Sequence, residues 1–299
     1  MASLDNMKYM ILRDWIPIDK LDMAMLYRNP NAMTVIGKNL DNYDLNWILS
    51  SNPSAISLLE KNTDKIDWIV LSGNPNAISL LEKNTNKISW LTLSCNPNAI
   101  SLLEKNLDKI NWMILSGNPN AITILEKNLH KINWAMLSGN PNAISLLEEN
   151  FDKINWMMLS GNPNAISLLE ENFDKINWSR LSQNTGAINL LEKNLDKVDW
   201  EWLSSNSNAV GILNNNLDKV NWFMLSVNPN TIHLLKKNID KVDWTMLSKN
   251  PNIFTYNYRA ITDALINSGI SEELMKNRFH PKHIDDWYGW GYDDDDDYE

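Results

Sequence analysis

Asparagine returns every 22 residues from Asn52 through Asn74 and Asn96 to Asn250. Tryptophan keeps the same step at Trp68, Trp90, Trp112, Trp134, Trp156, Trp178, Trp200, Trp222 and Trp244. A fixed short period limits the fold more than any composition does. One unit of this size is too small to bury its own apolar side chains, whereas stacked copies bury them against one another. The unit beginning at Asn96 reads N-P-N-A-I-S-L-L-E-K-N-L-D-K-I-N-W-M-I-L-S-G. An earlier one starts at Asn29 and reaches Asn52 in 23 residues, through an irregular linker around Asn42 and Tyr43. A still earlier half-unit, Lys20-Leu21-Asp22-Met23, puts Met23 in the tryptophan place.

The unit reads as two short helices. Asn74 suits an N-cap with Pro75 at the first helical position, where a missing N–H costs nothing. Ala77, Ile78, Leu80 and Leu81 then follow helical spacing, with Glu82 and Lys83 facing water. Asn84 is expected to end this helix in the left-handed conformation that asparagine tolerates. Before each tryptophan the residue is Asp, Ser or Asn, as at Asp67, Ser89 and Asn111. Those side chains cap helix N-termini, so a second, shorter helix is expected to begin at the tryptophan. The competing architecture is a leucine-rich-repeat-like solenoid, whose periods of about 20–29 residues include this one. Ile66, Trp68 and Val70 would alternate as its strand, but the intervening Asp67 is poor in strands.

These features predict an all-α solenoid of about ten two-helix repeats over residues 20–252. Neighbouring helices about 8–10 Å apart would make it a rod or arc of order 90 Å. Residues 1–19, with Trp15, Ile16 and Ile18, are expected to cap the first unit, and 253–290 to form a C-terminal helical cap. Residues 291–299, including the run Asp293 to Asp297, are expected to be an acidic disordered tail.

Net charge is −10, yet Asp285, Asp286, Asp293 to Asp297 and Glu299 carry most of it, so the repeats are nearly neutral. A nucleic-acid binder usually carries a basic footprint. The lysine column from Lys65 to Lys241 is mostly preceded by aspartate, as at Asp64-Lys65, which cancels the field that would track phosphates. No stretch is apolar enough for a membrane span, and the charged segment Met1 to Ile18 matches neither a signal peptide nor an anchor. Cys95 is the only cysteine, which fits a reducing compartment. A cytoplasmic rather than secreted location is therefore expected.

The unit NPNAISLLEKNLDKINW followed by LSGNPNAI resembles a tandem-repeat family abundant in giant DNA viruses of protists. Asn250-Pro251-Asn252-Ile253-Phe254, Glu272-Glu273-Leu274-Met275 and His280-Pro281 resemble the ending of that family's members. The resemblance covers about residues 20–290. It implies a viral repeat protein, working in the host cytoplasm or virus factory or packaged in virions, with no assigned activity and no catalytic residues to carry over.

Chemistry-bearing motifs are scarce. His130 and His233 stand at repeat positions, and His280 and His283 are read as a polar cap turn rather than metal ligands. No nucleophile elbow, phosphate loop or CxxC occurs. The reading is a non-enzyme with no cofactor and no metal. The nine tryptophans are assigned to the repeat core rather than to a stacking platform for bases or sugars. The two residues after each tryptophan vary between units and are rich in methionine, which suits adaptable surfaces. Arg180, Glu201 and Trp202 break their apolar trend and are the candidate partner-binding residues. The expected function is a scaffold for protein–protein interaction with a host or viral partner. The alternative is a structural virion or assembly component; nucleic-acid binding is the weaker third. Neither partner identity nor oligomeric state is legible.

Overall fold

The computed structural model describes residues 9–32 and 46–267. The linker around Asn42 and Tyr43, residues 268–290 of the expected C-terminal cap with His280 and His283, and the acidic tail lie outside those residues. The chain divides into a large unit, Leu12–Phe254, and a smaller one made of Met1–Ile11 and Thr255–Glu299. At the smaller unit, strand β1 (Met10–Leu12) pairs with β2 (Phe254–Tyr256), and the Asn257 N–H donates to the Tyr9 carbonyl. A helix, Tyr258–Asn267, follows. The expected helical cap therefore opens with a strand.

The large unit is an all-α solenoid of helix pairs. A tryptophan helix, such as Trp68–Ser72 or Trp112–Ser116, alternates with a leucine helix, such as Ile78–Glu82 or Ile100–Glu104. The tryptophan helices begin as the sequence predicts. Asp67, Ser89, Asn111 and their counterparts accept backbone N–H groups of the first turn with their side chains. The strand of a leucine-rich repeat is absent, because Trp68 and Val70 lie within a helix.

Two details differ from expectation. In most units Asn-Pro-Asn is a turn, and the leucine helix starts only at the isoleucine, with an alanine such as Ala77 as N-cap. Only at Asn228-Pro229 and Asn250-Pro251 does the asparagine cap a 3₁₀ turn with proline in its first positions. Asn84, in turn, is not left-handed; it lies at φ −134°, ψ 48°. It ends its helix by donating its side-chain amide to the Leu80 carbonyl, 2.9 Å away, which satisfies an orphan acceptor.

The core is aliphatic. Leu71, Ala77, Leu80, Leu81 and Ile88 are buried, and the same five places are buried in the following units. Burying one leucine stabilises by about 1.5–3 kcal/mol. A small residue is needed at the turn before the leucine helix because the position is sealed. Ala77 is wholly inaccessible, and so is Thr231, which takes that place in a later unit with its hydroxyl bonded to the Leu225 and Asn228 carbonyls.

Polar ladders join each unit to the one before. Asn74 donates its amide to the Ser50 and Asn52 carbonyls at 3.0 and 3.1 Å, and Asn96 donates to those of Ser72 and Asn74. The same asparagine's oxygen accepts the N–H two residues on, as from Asn76 to Asn74. Each buried serine works in both directions. The Ser72 hydroxyl donates to the Trp68 carbonyl and accepts the N–H of Ser89 in the next unit. Every buried polar atom in the motif is thereby paired, which a low-dielectric interior requires.

The ladders do not stop at the ends. Asn29 donates to the carbonyls of Ser248 and Asn250 at 3.1 and 2.8 Å, as though its unit followed the last one. The Asp22 N–H donates to the Ser248 hydroxyl, and Asn31 donates to the Pro251 carbonyl. Asn52 then donates to the Tyr27 and Asn29 carbonyls. Asparagines 29, 52 and onward in steps of 22 to 250 therefore form an unbroken cycle, and residues 12–254 close into a ring. The expected open rod or arc is corrected accordingly. Residues 13–19, part of the segment 1–19 expected to cover the first unit, instead seal the seam. Arg13 Nε donates to the Asn252 carbonyl at 2.7 Å, and its N–H to that of Ile253. Trp15 packs on Trp244, with ring centroids 6.5 Å apart.

Candidate functional site: the inner face of the ring

Two concentric layers of helices in a closed ring cannot be equally spaced; the inner layer must be the tighter one. Tryptophan helices of successive units approach each other more closely than leucine helices do, so they form the inner layer. Eleven helices about 8–10 Å apart make a circle about 28–35 Å across. Subtracting the helices' own thickness leaves an opening of about 20 Å.

On each inner helix the leucine and serine, such as Leu71 and Ser72, point into the wall and are buried. The two residues after the tryptophan and the one five places after it therefore project away from the wall. Ile69, Leu91, Met113, Met157 and Phe223 stand there, each about half exposed, with Ile69 the most at 63%. Trp47 joins them. The one-residue offset of its unit puts it in the place of Ile69 rather than that of Trp68, since Ser50 and Asn52 match Ser72 and Asn74 in the ladders. The inner face thus carries an apolar column from Trp47 to Met157, interrupted by Ser179 and Glu201, resumed at Phe223 and ended at Thr245. Exposed apolar residues gathered this way mark contact surfaces more often than scattered ones do.

The tryptophans lie elsewhere. Trp68, Trp90, Trp112, Trp134, Trp156, Trp178, Trp200, Trp222 and Trp244 are all half-buried, not part of the sealed core. Each indole is covered by a lysine of the following unit. Lys87 sits 4.6 Å over Trp68, Lys131 4.4 Å over Trp112, and Lys153 4.5 Å over Trp134. Lys20 covers Trp244 at 4.9 Å, so the seam repeats this contact too. Each such pair contributes about 0.5–1 kcal/mol at a partly exposed site. Phe151 and Phe173 add edge-on ring contacts to Trp156 and Trp178. The lysine column that resembles a phosphate track is therefore a set of lids on indoles.

Arg180 and Trp202 occupy the same inner-helix place in adjoining units, and Glu201 stands beside Trp202. The structure brings all three onto one arc of the inner face. Arg180 and Glu201 are exposed and Trp202 is half-buried. Ser179 donates to the Asp199 carboxylate at 2.7 Å, tying the two units together on that arc. Sequence reasoning missed Gln183, which lies one turn from Arg180 and is also exposed. Its signal was faint: glycine holds that place at Gly139 and Gly161, but Cys95, Ser205, Val227 and Lys249 also occupy it.

Elsewhere, Cys95, His130 and His233 are exposed. Among the described residues no helix is long and apolar enough to cross a membrane. No protein-family model, curated protein or solved structure matches the chain.

Proposed function

We propose that this chain is a non-catalytic scaffold whose ring holds a protein partner against its inner face. One observation carries the reading: the apolar column of Ile69, Leu91, Met113, Met157 and Phe223 is solvent-exposed although packing does not require it there. Methionine and the larger apolar side chains on that column can repack around a partner's side chains at small cost. The resemblance to viral repeats supports a host or viral protein as the partner, met in the cytoplasm or virus factory.

Photo-methionine labelling tests this reading. Partner cross-links are expected at Met113 and Met157, and capture is expected to fail when both are replaced by glutamate. Unchanged capture by that variant, with cross-links confined to the outer leucine helices, would overturn it.

An assembly or virion component is the second reading, favoured by the Glu-Lys pairs that recur on the outer leucine helices, as at Glu82-Lys83, Glu104-Lys105 and Glu126-Lys127. Recovery of the chain in purified particles without a stoichiometric partner would select it. Nucleic-acid binding has less support, because the lysine ammonium groups are engaged with indoles and the inner face is apolar. Salt-sensitive binding to DNA or RNA would revive it.

A further inference from the structure

The repeat is its own internal control. Places that packing constrains stay the same from unit to unit, while the exposed inner-face places vary, so each unit presents its own chemistry there. At the inner-face place two after the tryptophan, the preceding units carry Ile114, Met136 and Met158, and the unit at Trp178 carries Arg180. One turn later, Gly117, Gly139 and Gly161 give way to Gln183. Both departures face one groove of about 310 Å³, lined by Gly139, Met158, Gly161, Arg180 and Gln183.

The chemistry of that groove is mixed. Met158 lines its middle, with its Cε packed against Gly139, 3.5 Å from where a Cβ would stand, while Gly161 leaves room on the other side. At its far end the Arg180 guanidinium makes no hydrogen bond or ion pair with the described residues. Nor does the Gln183 side-chain amide. Arg180 uses only its backbone N–H, which donates to Asn177. The nearest acidic side chains are already committed or lie outside. Asp199 accepts from Ser179 and caps its own helix, and Glu201 belongs to the following unit, away from the groove lining. Arginine presents a planar fork of donors suited to a carboxylate. The groove is half open to solvent rather than enclosed, so a chain lying across it fits better than a buried small molecule does.

We propose that this groove binds a peptide segment in which a carboxylate lies beside an apolar side chain, the carboxylate on Arg180 and Gln183, the apolar group over Met158 between Gly139 and Gly161. The proposal rests on the reading of the inner face as a protein-binding surface and assigns that surface its specificity.

The test pans a phage-displayed library of random dodecapeptides against the full chain and against Arg180→Glu. A third target, Gly161→Leu, fills the groove; a Cβ there meets only the Met158 carbonyl oxygen, at 3.6 Å, so the fold is kept. Thermal denaturation checks that all three are folded. The wild type is expected to enrich peptides with Asp or Glu next to Leu, Met or Phe. Their affinity should fall at least tenfold on both variants, and Arg180→Glu should instead enrich Lys or Arg beside the apolar residue. Peptides lacking a carboxylate, or binding that survives both changes, overturn this site while leaving the apolar inner face as a docking surface. Displacement of the peptide by decanoate at micromolar concentration reassigns the groove to free fatty acids and likewise overturns the proposal. If no peptide is enriched on any form, the proposal fails, and the photo-methionine cross-links judge the inner-face reading separately.

Discussion

At the scale of single residues, the repeat depends on side chains that look interchangeable in a one-letter code. Asparagine occurs at least three times in most units, and three of its places, besides the N-cap of the tryptophan helix, do three jobs. The first, Asn140, donates across to Ser116 and Asn118; the second, Asn142, donates to Pro119; the third, Asn150, terminates its helix on Leu146. Only the first is buried, so only its loss strands acceptors away from water. Where the second asparagine is replaced by Gly186, no side chain reaches the preceding unit and the backbone moves in instead. A Cβ at Gly186 would stand 2.3 Å from the Pro163 carbonyl oxygen. Gly186→Ala is therefore expected to destabilise by about 1–3 kcal/mol, measured by denaturant unfolding. A cost near zero would mean that the turn relaxes freely.

At the scale of elements, helices of four to six residues have no stability of their own. Each tryptophan helix is held by its cap, by the serine that links it to the next unit and by the leucines it buries. Removing the cap with Asn133→Ala loses the bond from the Met136 N–H, 3.0 Å long, but leaves the Trp134 indole under Lys153. The expected loss is about 1 kcal/mol by chemical denaturation. The cap was legible in the sequence because Asp, Ser and Asn exchange there and little else does. The start of the leucine helix was not. Asn-Pro suits a helix N-terminus by local rules, yet here the asparagine's amide is drawn into the preceding unit. A tertiary hydrogen bond overrode a local preference.

At the scale of the whole repeat unit, residues 12–254, closure makes the first and last repeats internal ones. That gives a sharp test. In an open solenoid Asn29 would face solvent and Asn29→Ala would cost little. In the ring it bonds Ser248 and Asn250 as Asn140 bonds Ser116 and Asn118. Asn29→Ala and Asn140→Ala are therefore expected to destabilise equally, by about 1–3 kcal/mol each in matched denaturant titrations. A negligible cost at Asn29 beside a full cost at Asn140 would show that the seam is open in solution. Closure also decides where the candidate surface lies, because it converts the residues after each tryptophan from the side of a rod into the lining of an opening.

The candidate residues Arg180, Glu201 and Trp202 were legible because a repeat exposes its own exceptions, whereas Gln183 was hidden among small residues at its place, such as Cys95 and Ser205. The period, the paired helices and the caps are local or nearest-neighbour properties, and the amino-acid order alone determines them. Curvature is not: it sums a small rotation, about 33° for eleven units, that depends on how bulky the side chains are between neighbouring layers. Whether those rotations complete a circle, whether Lys20 finds Trp244, and whether the indoles are sealed or merely lidded depended on geometry accumulated over more than two hundred residues. No single unit contains that information, so only the assembled tertiary structure decided it.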